Sequence, residues 1–165
     1  VTLATQYPDW KFIFAPHEIG EDKINKLISL LPENSAVRYS QLTSQHSPLT
    51  AQTLIIDNIG MLSSLYQYGD IAYIGGGFGA GIHNTLEAAA FGLPVIFGPN
   101  YAKFKEAKDL IELNAGFSVA DEVELKKVAA QLINDDAFYL AASAKIRNYV
   151  EENVGATETI IKHII

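Results

Sequence analysis

Ile71-Ala72-Tyr73-Ile74-Gly75-Gly76-Gly77-Phe78-Gly79-Ala80-Gly81-Ile82-His83-Asn84-Thr85-Leu86-Glu87-Ala88-Ala89-Ala90-Phe91-Gly92-Leu93-Pro94-Val95-Ile96-Phe97-Gly98-Pro99 is the stretch that decides the fold. It reads as strand, glycine-rich loop, helix and second strand. Residues 71–74 form a short apolar run of the kind shown by a parallel strand buried on both faces. Five glycines follow within seven residues, and Asn84 then opens a run of good helix formers over 86–90. Gly92 and Pro94 stop that helix before a second buried strand, Val95-Ile96-Phe97. A glycine loop that leads into a helix N-terminus presents backbone N–H groups and the positive end of the helix dipole. Such a loop suits an anion, above all a phosphate.

Working outward, the same alternation recurs. Residues 11–15 read as a first strand, ending at Pro16, His17 and Glu18. A helix over 19–31 follows, with Ile24, Leu27, Ile28 and Leu31 on one face. Residues 37–39 form a weak strand, 40–53 a polar loop, and 54–56 a third strand. Asp57-Asn58-Ile59-Gly60 turns into a helix over 61–68. Beyond the opening stretch, 104–113 reads as a helix and 117–119 as a strand. Asp121 with Glu124 then forms a capping box, opening a helix with a Leu125, Val128, Ala129 and Leu132 stripe. Helices over 136–153 and 157–164 close the chain. Strand–helix alternation with short connections gives an α/β, Rossmann-like, doubly wound parallel sheet. In such sheets ligands sit off the C-terminal strand ends, which singles out three loops: Pro16-His17, 58–60 and 75–81.

The 165 residues amount to one domain, or one domain of a larger protein. A chain that is 48% apolar and 19% charged is globular and not disordered. It has no cysteine, which excludes a disulfide framework, a thiol nucleophile or a thiolate metal site. Its net charge of −7 argues against nucleic-acid binding, whereas backbone dipoles and a few local cations can still hold an anion. No apolar run approaches the roughly 20 residues of a membrane span, and no signal peptide is visible. The chain starts at Val1 without a methionine and carries its motif mid-chain, so a fragment of a longer protein is expected.

The motif has two readings on form alone. Loop 75–81 is no Walker loop, since no Gly-Lys-Ser/Thr follows, and no acid ends the next strand as in a dinucleotide fingerprint. Asn84 as N-cap and Glu87 at the third helical position make a capping box that satisfies the helix's own N–H groups. Alternatively, Glu87 faces the loop mouth, where a carboxylate suits a cis-diol such as ribose. His83 is placed to touch a phosphate or sugar oxygen, or to hydrogen-bond the loop. Tyr101, Lys103 and Lys105 follow another strand-end turn and offer a cation or an ordinary helix start. His46 and His163 have no supporting context, and no pair of acids or histidines has metal-ligand spacing. No cofactor is indicated.

The strings Gly-Asp-Ile-Ala-Tyr-Ile-Gly-Gly-Gly-Phe and Gly-Ile-His-Asn-Thr-Leu-Glu-Ala-Ala-Ala-Phe-Gly-Leu-Pro-Val-Ile-Phe-Gly-Pro resemble the C-terminal half of the 3-deoxy-D-manno-octulosonic acid (Kdo) transferases of lipid A biosynthesis. The resemblance covers residues 11–113. The family usually shows a Gly-Gly-Ser loop, Gly-Gly-His-Asn-Pro-Leu-Glu, and a Gly-Pro-His turn followed by Asn-Phe. Here the loop serine is Gly77, the second glycine Ile82, the proline Thr85, the turn histidine Asn100 and the later asparagine Lys103.

The resemblance implies the C-terminal donor domain of a GT-B glycosyltransferase, with the N-terminal acceptor domain absent from this chain. It implies that Gly76, Gly77, His83, Asn84, Thr85, Leu86 and Glu87 hold CMP, with Glu87 on the ribose and loop N–H groups on the phosphate. Ile59, Gly60 and Met61 match a segment that lines the cytidine. Pro16 and His17 match a Pro-Arg pair, and the histidine there replaces a permanent bidentate cation. The implied donor is CMP-Kdo, and the implied acceptor is a lipid A precursor (lipid IVA) bound through the missing half. That half also supplies the catalytic glutamate and any membrane contact, at the cytoplasmic side of the bacterial inner membrane. The chain alone is expected to bind CMP weakly and transfer nothing. Two alternatives remain: another GT-B enzyme or a UDP-sugar 2-epimerase relative, and a non-catalytic nucleotide-binding domain.

Overall fold

The structure, a computed structural model, describes residues 1–42, 50–155, 161 and 163. All six expected strands form, each three residues long, as two three-stranded parallel sheets in place of one continuous ladder. The chain correspondingly divides into two compact units, Val1–Leu62 and Ser63–Ile165.

In the first unit, β1 (Phe12–Phe14), β2 (Ala36–Arg38) and β3 (Thr53–Ile55) pair in the order β1-β3-β2. Helix α1 (Thr2–Gln6) precedes them, and α2 (Glu21–Ser29) links β1 to β2. The α2 stripe is as the periodicity demands: Ile24 and Leu31 are buried with Ala4 and Ile55, and Leu27 and Ile28 pack beside them. Helix α1 has no side-chain cap, so the sequence carries no start signal for it. Arg38 at the end of β2 holds the Glu21 carboxylate at 2.9 Å and Asn25 Oδ1 at 2.7 Å, tying sheet to helix.

The second unit opens with α3 (Leu62–Leu65), whose first residue closes the first unit. It contains β4 (Ala72–Ile74), α4 (Leu86–Ala89), β5 (Val95–Phe97), α5 (Lys105–Glu112), β6 (Gly116–Ser118), α6 (Glu122–Asn134) and α7 (Asp136–Asn153). The strands lie in sequence order, β4-β5-β6. Central β5 is buried throughout and feeds both faces. Val95 and Phe97 join a cluster with Ile82, Ala88, Ala89, Leu110 and Ile146, and Ile96 joins Val119, Leu132 and Ala142. This two-sided covering is the Rossmann-like pattern expected of an α/β chain. One expectation fails: β4 is not buried on both faces, because Tyr73 keeps 49% of its surface exposed at the end of this sheet.

Caps act where the sequence marks them. Asp121 accepts from Glu124 N at 2.9 Å, while the Glu124 carboxylate turns back to Ala120 N at 2.7 Å. Between α5 and α7, Asp109 accepts from Lys105 at 2.5 Å and from the Tyr149 hydroxyl at 2.9 Å. Burial and that carboxylate push the Tyr149 phenol up to about 12. The polar loop expected over 40–53 begins with a 3-10 turn, Tyr39–Gln41, and His46 lies outside the described residues. The last expected helix, 157–164, falls on residues of which only 161 and 163 are described.

Two outcomes follow from this packing. The Thr53 hydroxyl is buried without a hydrogen-bond partner, so Thr53→Val raises stability by about 1 kcal/mol in urea denaturation; a loss of stability would contradict the assignment. Tyr149 favours its neutral form in the folded state, so its contribution is complete below pH 10 and is lost as pH rises toward 12. Tyr149→Phe removes that component, and its stability falls less steeply than the parent's across the same alkaline range.

Candidate functional site

The loop that leaves β4 is fixed by close backbone contacts. Gly76 takes φ +88°, and a Cβ there would stand 2.3 Å from the Gly81 carbonyl oxygen. The Gly76 carbonyl accepts from Gly79 N at 2.8 Å and Gly81 N at 3.4 Å, and His83 N donates to Gly75 O at 3.0 Å. Gly77 lies directly on Gly98, in the loop that leaves β5. A Cβ on Gly77 would come within 2.6 Å of Gly98 N, and one on Gly98 within 2.6 Å of the Gly77 carbonyl carbon. The serine usual in the Kdo-transferase loop therefore has no room here. Ile82, at the place of a family glycine, is 4% exposed and fills the core beneath the loop.

Past the loop, His83 is exposed with its ring edge over Gly75 and Gly76. Asn84 Oδ1 accepts from Leu86 N at 2.9 Å, and Asn84 Nδ2 donates to Glu87 Oε1 at 3.1 Å. Thr85 already has helical dihedrals, φ −82° and ψ −24°, so Asn84 is the cap by geometry. The box closes through the Asn84 amide and not its backbone N–H, which sets one Glu87 oxygen and leaves the half-buried carboxylate at the loop's end. Its charge adds to the burial that raises the Tyr66 phenol. Helix α4 is four residues long, close to the expected run over 86–90, so its dipole is that of a single turn, and Asn84 already occupies Leu86 N–H.

Of the cations considered, Lys105 is committed to Asp109. Lys103 is exposed, and the Tyr101 ring packs on Phe97 with centroids 5.4 Å apart.

The remaining sequence-derived positions lie in the first unit. Strands β1 and β3 are parallel neighbours, so Pro16-His17 and Ile59-Gly60-Met61 leave the same edge of that sheet. Ile59 is 87% exposed, Gly60 has φ +93°, and Asn58 Nδ2 lies 3.0 Å from Met61 Sδ. His17 is exposed, and its neighbour Glu18 is paired with Lys23. The sequence did not single out Asp57, which accepts from Ser40 N at 3.0 Å and Ser40 Oγ at 2.5 Å. These bonds lead the causes that hold its carboxyl below the usual range. The Asp-Asn-x-Gly turn signature was the available signal, but its partner lies 17 residues away.

Gly76→Ala, which meets both the positive φ and the Gly81 carbonyl, is expected to cost about 1–3 kcal/mol. Gly79→Ala meets only Gly76 O at 3.6 Å and is near neutral. Equal thermal-denaturation shifts for the two variants would refute the loop geometry.

No family model matches the chain. It is 35% identical over 78% of its length to the 3-deoxy-D-manno-octulosonic acid transferase of Aquifex aeolicus, covering 35% of that protein. It is 30% identical over 99% of its length to the enzyme of the same name from Rickettsia prowazekii, covering 34%. A bifunctional glycosyltransferase/methyltransferase of Fusobacterium nucleatum is 28% identical over 93% of the chain and 24% of that protein. In fold, the chain matches the C-terminal CMP-Kdo binding domain of WaaA from Acinetobacter baumannii. The TM-score is 0.76 at 20% identity, over 90% of this chain and 78% of that one. No helix among the described residues is long and apolar enough to cross a membrane. The chain spans about a third of the length of the Aquifex and Rickettsia relatives, and over that shared part it is a relative of the 3-deoxy-D-manno-octulosonic acid transferases.

Proposed function

We propose that the chain is the donor-binding domain of a Kdo transferase, holding CMP-Kdo for transfer to a lipid A precursor. The observation that carries this reading is the braced glycine loop running into Asn84, with the Glu87 carboxylate set by the Asn84 amide. In this role Glu87 accepts from the ribose hydroxyls, and Gly76, Gly77 and the turn through His83, Asn84, Thr85 and Leu86 surround the phosphate. As the bond from Kdo to the phosphate breaks, charge grows on the CMP leaving group. Amides fixed in advance stabilise that charge without reorganising. Deprotonation of the acceptor hydroxyl needs a general base, which this reading assigns to an acceptor-binding domain of the full-length enzyme. That domain also provides contact with the lipid, at the cytoplasmic face of the inner membrane.

Calorimetry tests the donor. CMP binds more tightly than UDP, and preference for UDP would reject this reading in favour of a UDP-sugar enzyme. Glu87→Ala lowers CMP affinity by more than the roughly 1 kcal/mol it costs in stability. Loss of stability with unchanged affinity would leave Glu87 a helix cap and nothing more. The 165-residue chain mixed with CMP-Kdo and acceptor transfers no sugar, and measured transfer would refute the division of labour.

A further inference from the structure

Loop 75–81 has the highest glycine density in the chain and hence the largest conformational entropy to lose. A loop of this kind binds an anion well only if something outside it supplies order beforehand. The segment after β5 does so at successive points. Gly98 meets the Gly77 backbone; Asn100 N donates to Gly77 O at 3.0 Å; Asn100 Nδ2 donates to Gly79 O at 2.8 Å. The Phe104 ring then closes on Gly81, 3.1 Å from where a Cβ would stand. Asn100 is the member of this bracket that acts through both backbone and side chain. Its own side chain is exposed and fills no core space, so packing gives no other reason for it.

We infer that Asn100 is a positioning residue for the phosphate end of the donor, an inference that rests on the nucleotide-binding reading above. By pinning the carbonyls of Gly77 and Gly79 to the β5 loop, it fixes the peptide planes that carry the Phe78 and Ala80 N–H groups, Gly79 N being already bonded to Gly76 O. Without the side-chain bond, the Phe78–Ala80 turn is ordered only when ligand arrives, and that ordering is subtracted from binding. The loss is confined to ligands that carry a phosphate, because a nucleoside makes no demand on this loop.

The test compares CMP with cytidine by calorimetry on the 165-residue chain. In Asn100→Ala, CMP affinity falls about tenfold while cytidine affinity is unchanged. Asn100→His, which offers a ring N–H in place of the amide, recovers part of the loss. A general loosening of the fold would weaken both ligands together, and that result, or an unchanged CMP affinity, overturns the assignment. Hydrogen exchange of the free protein is read in parallel. Faster exchange confined to the amides of 77–82 in Asn100→Ala supports the bracket, and unaltered exchange there overturns it. A parent chain that binds no CMP but shows the exchange difference refutes the donor reading while leaving Asn100 as the residue that orders the loop.

Discussion

The contact on which the rest of the second unit depends is backbone on backbone: Gly77 against Gly98. Adjacent parallel strands hold their chains about 4.8 Å apart, and loops that leave their C-terminal ends normally diverge because side chains stand between them. With glycine on both sides the two loops stay together beyond the sheet. Three further features become possible only then. The Asn100 backbone reaches Gly77 O, its amide reaches Gly79 O, and Phe104 covers Gly81. The result is a glycine-rich segment bonded from outside at Gly77 and Gly79 and covered at Gly81, delivered to the point where Asn84 starts α4.

That geometry gives physical reasons for places where the chain departs from the motif of the Kdo transferases. Gly77 stands where the family pattern has a serine, and in this chain a Cβ there would meet the Gly98 backbone. Ile82 replaces a glycine because its side chain fills the core under the loop. Thr85 replaces a proline at dihedrals near those proline prefers, but its buried hydroxyl lacks a partner. That substitution keeps the backbone shape at an energetic cost.

The charge distribution bears on the same loop. With a net charge of −7, the protein offers an anionic donor no favourable long-range field. Several of its cations are paired locally: Lys105 with Asp109, Lys23 with Glu18, Arg38 with Glu21. Attraction for a phosphate therefore has to be short-range, from N–H groups aimed in advance. On the proposed donor-binding reading, short-range binding of this kind tolerates an acidic protein but not a loose loop, which would place the constraint on the glycines and on Asn100 and not on lysines.

The six strands, the α2 and α6 stripes and the Asp121 cap were legible in the sequence because each is a local pattern. Apolar period, turn residues and cap spacing are set by near neighbours. The break into two three-stranded sheets was not legible, since strand pairing depends on partners far along the chain. Nor were the exposure of Tyr73 or the pairing of Asp57 with Ser40. The sequence by itself determined that a glycine loop joins a buried strand to a helix start at Asn84, and that Glu87 stands one turn on. Only the tertiary structure decided why those glycines are needed: the obstacle at Gly77 is Gly98, and two backbones 21 residues apart exclude each other's Cβ atoms only once the sheet has brought them together.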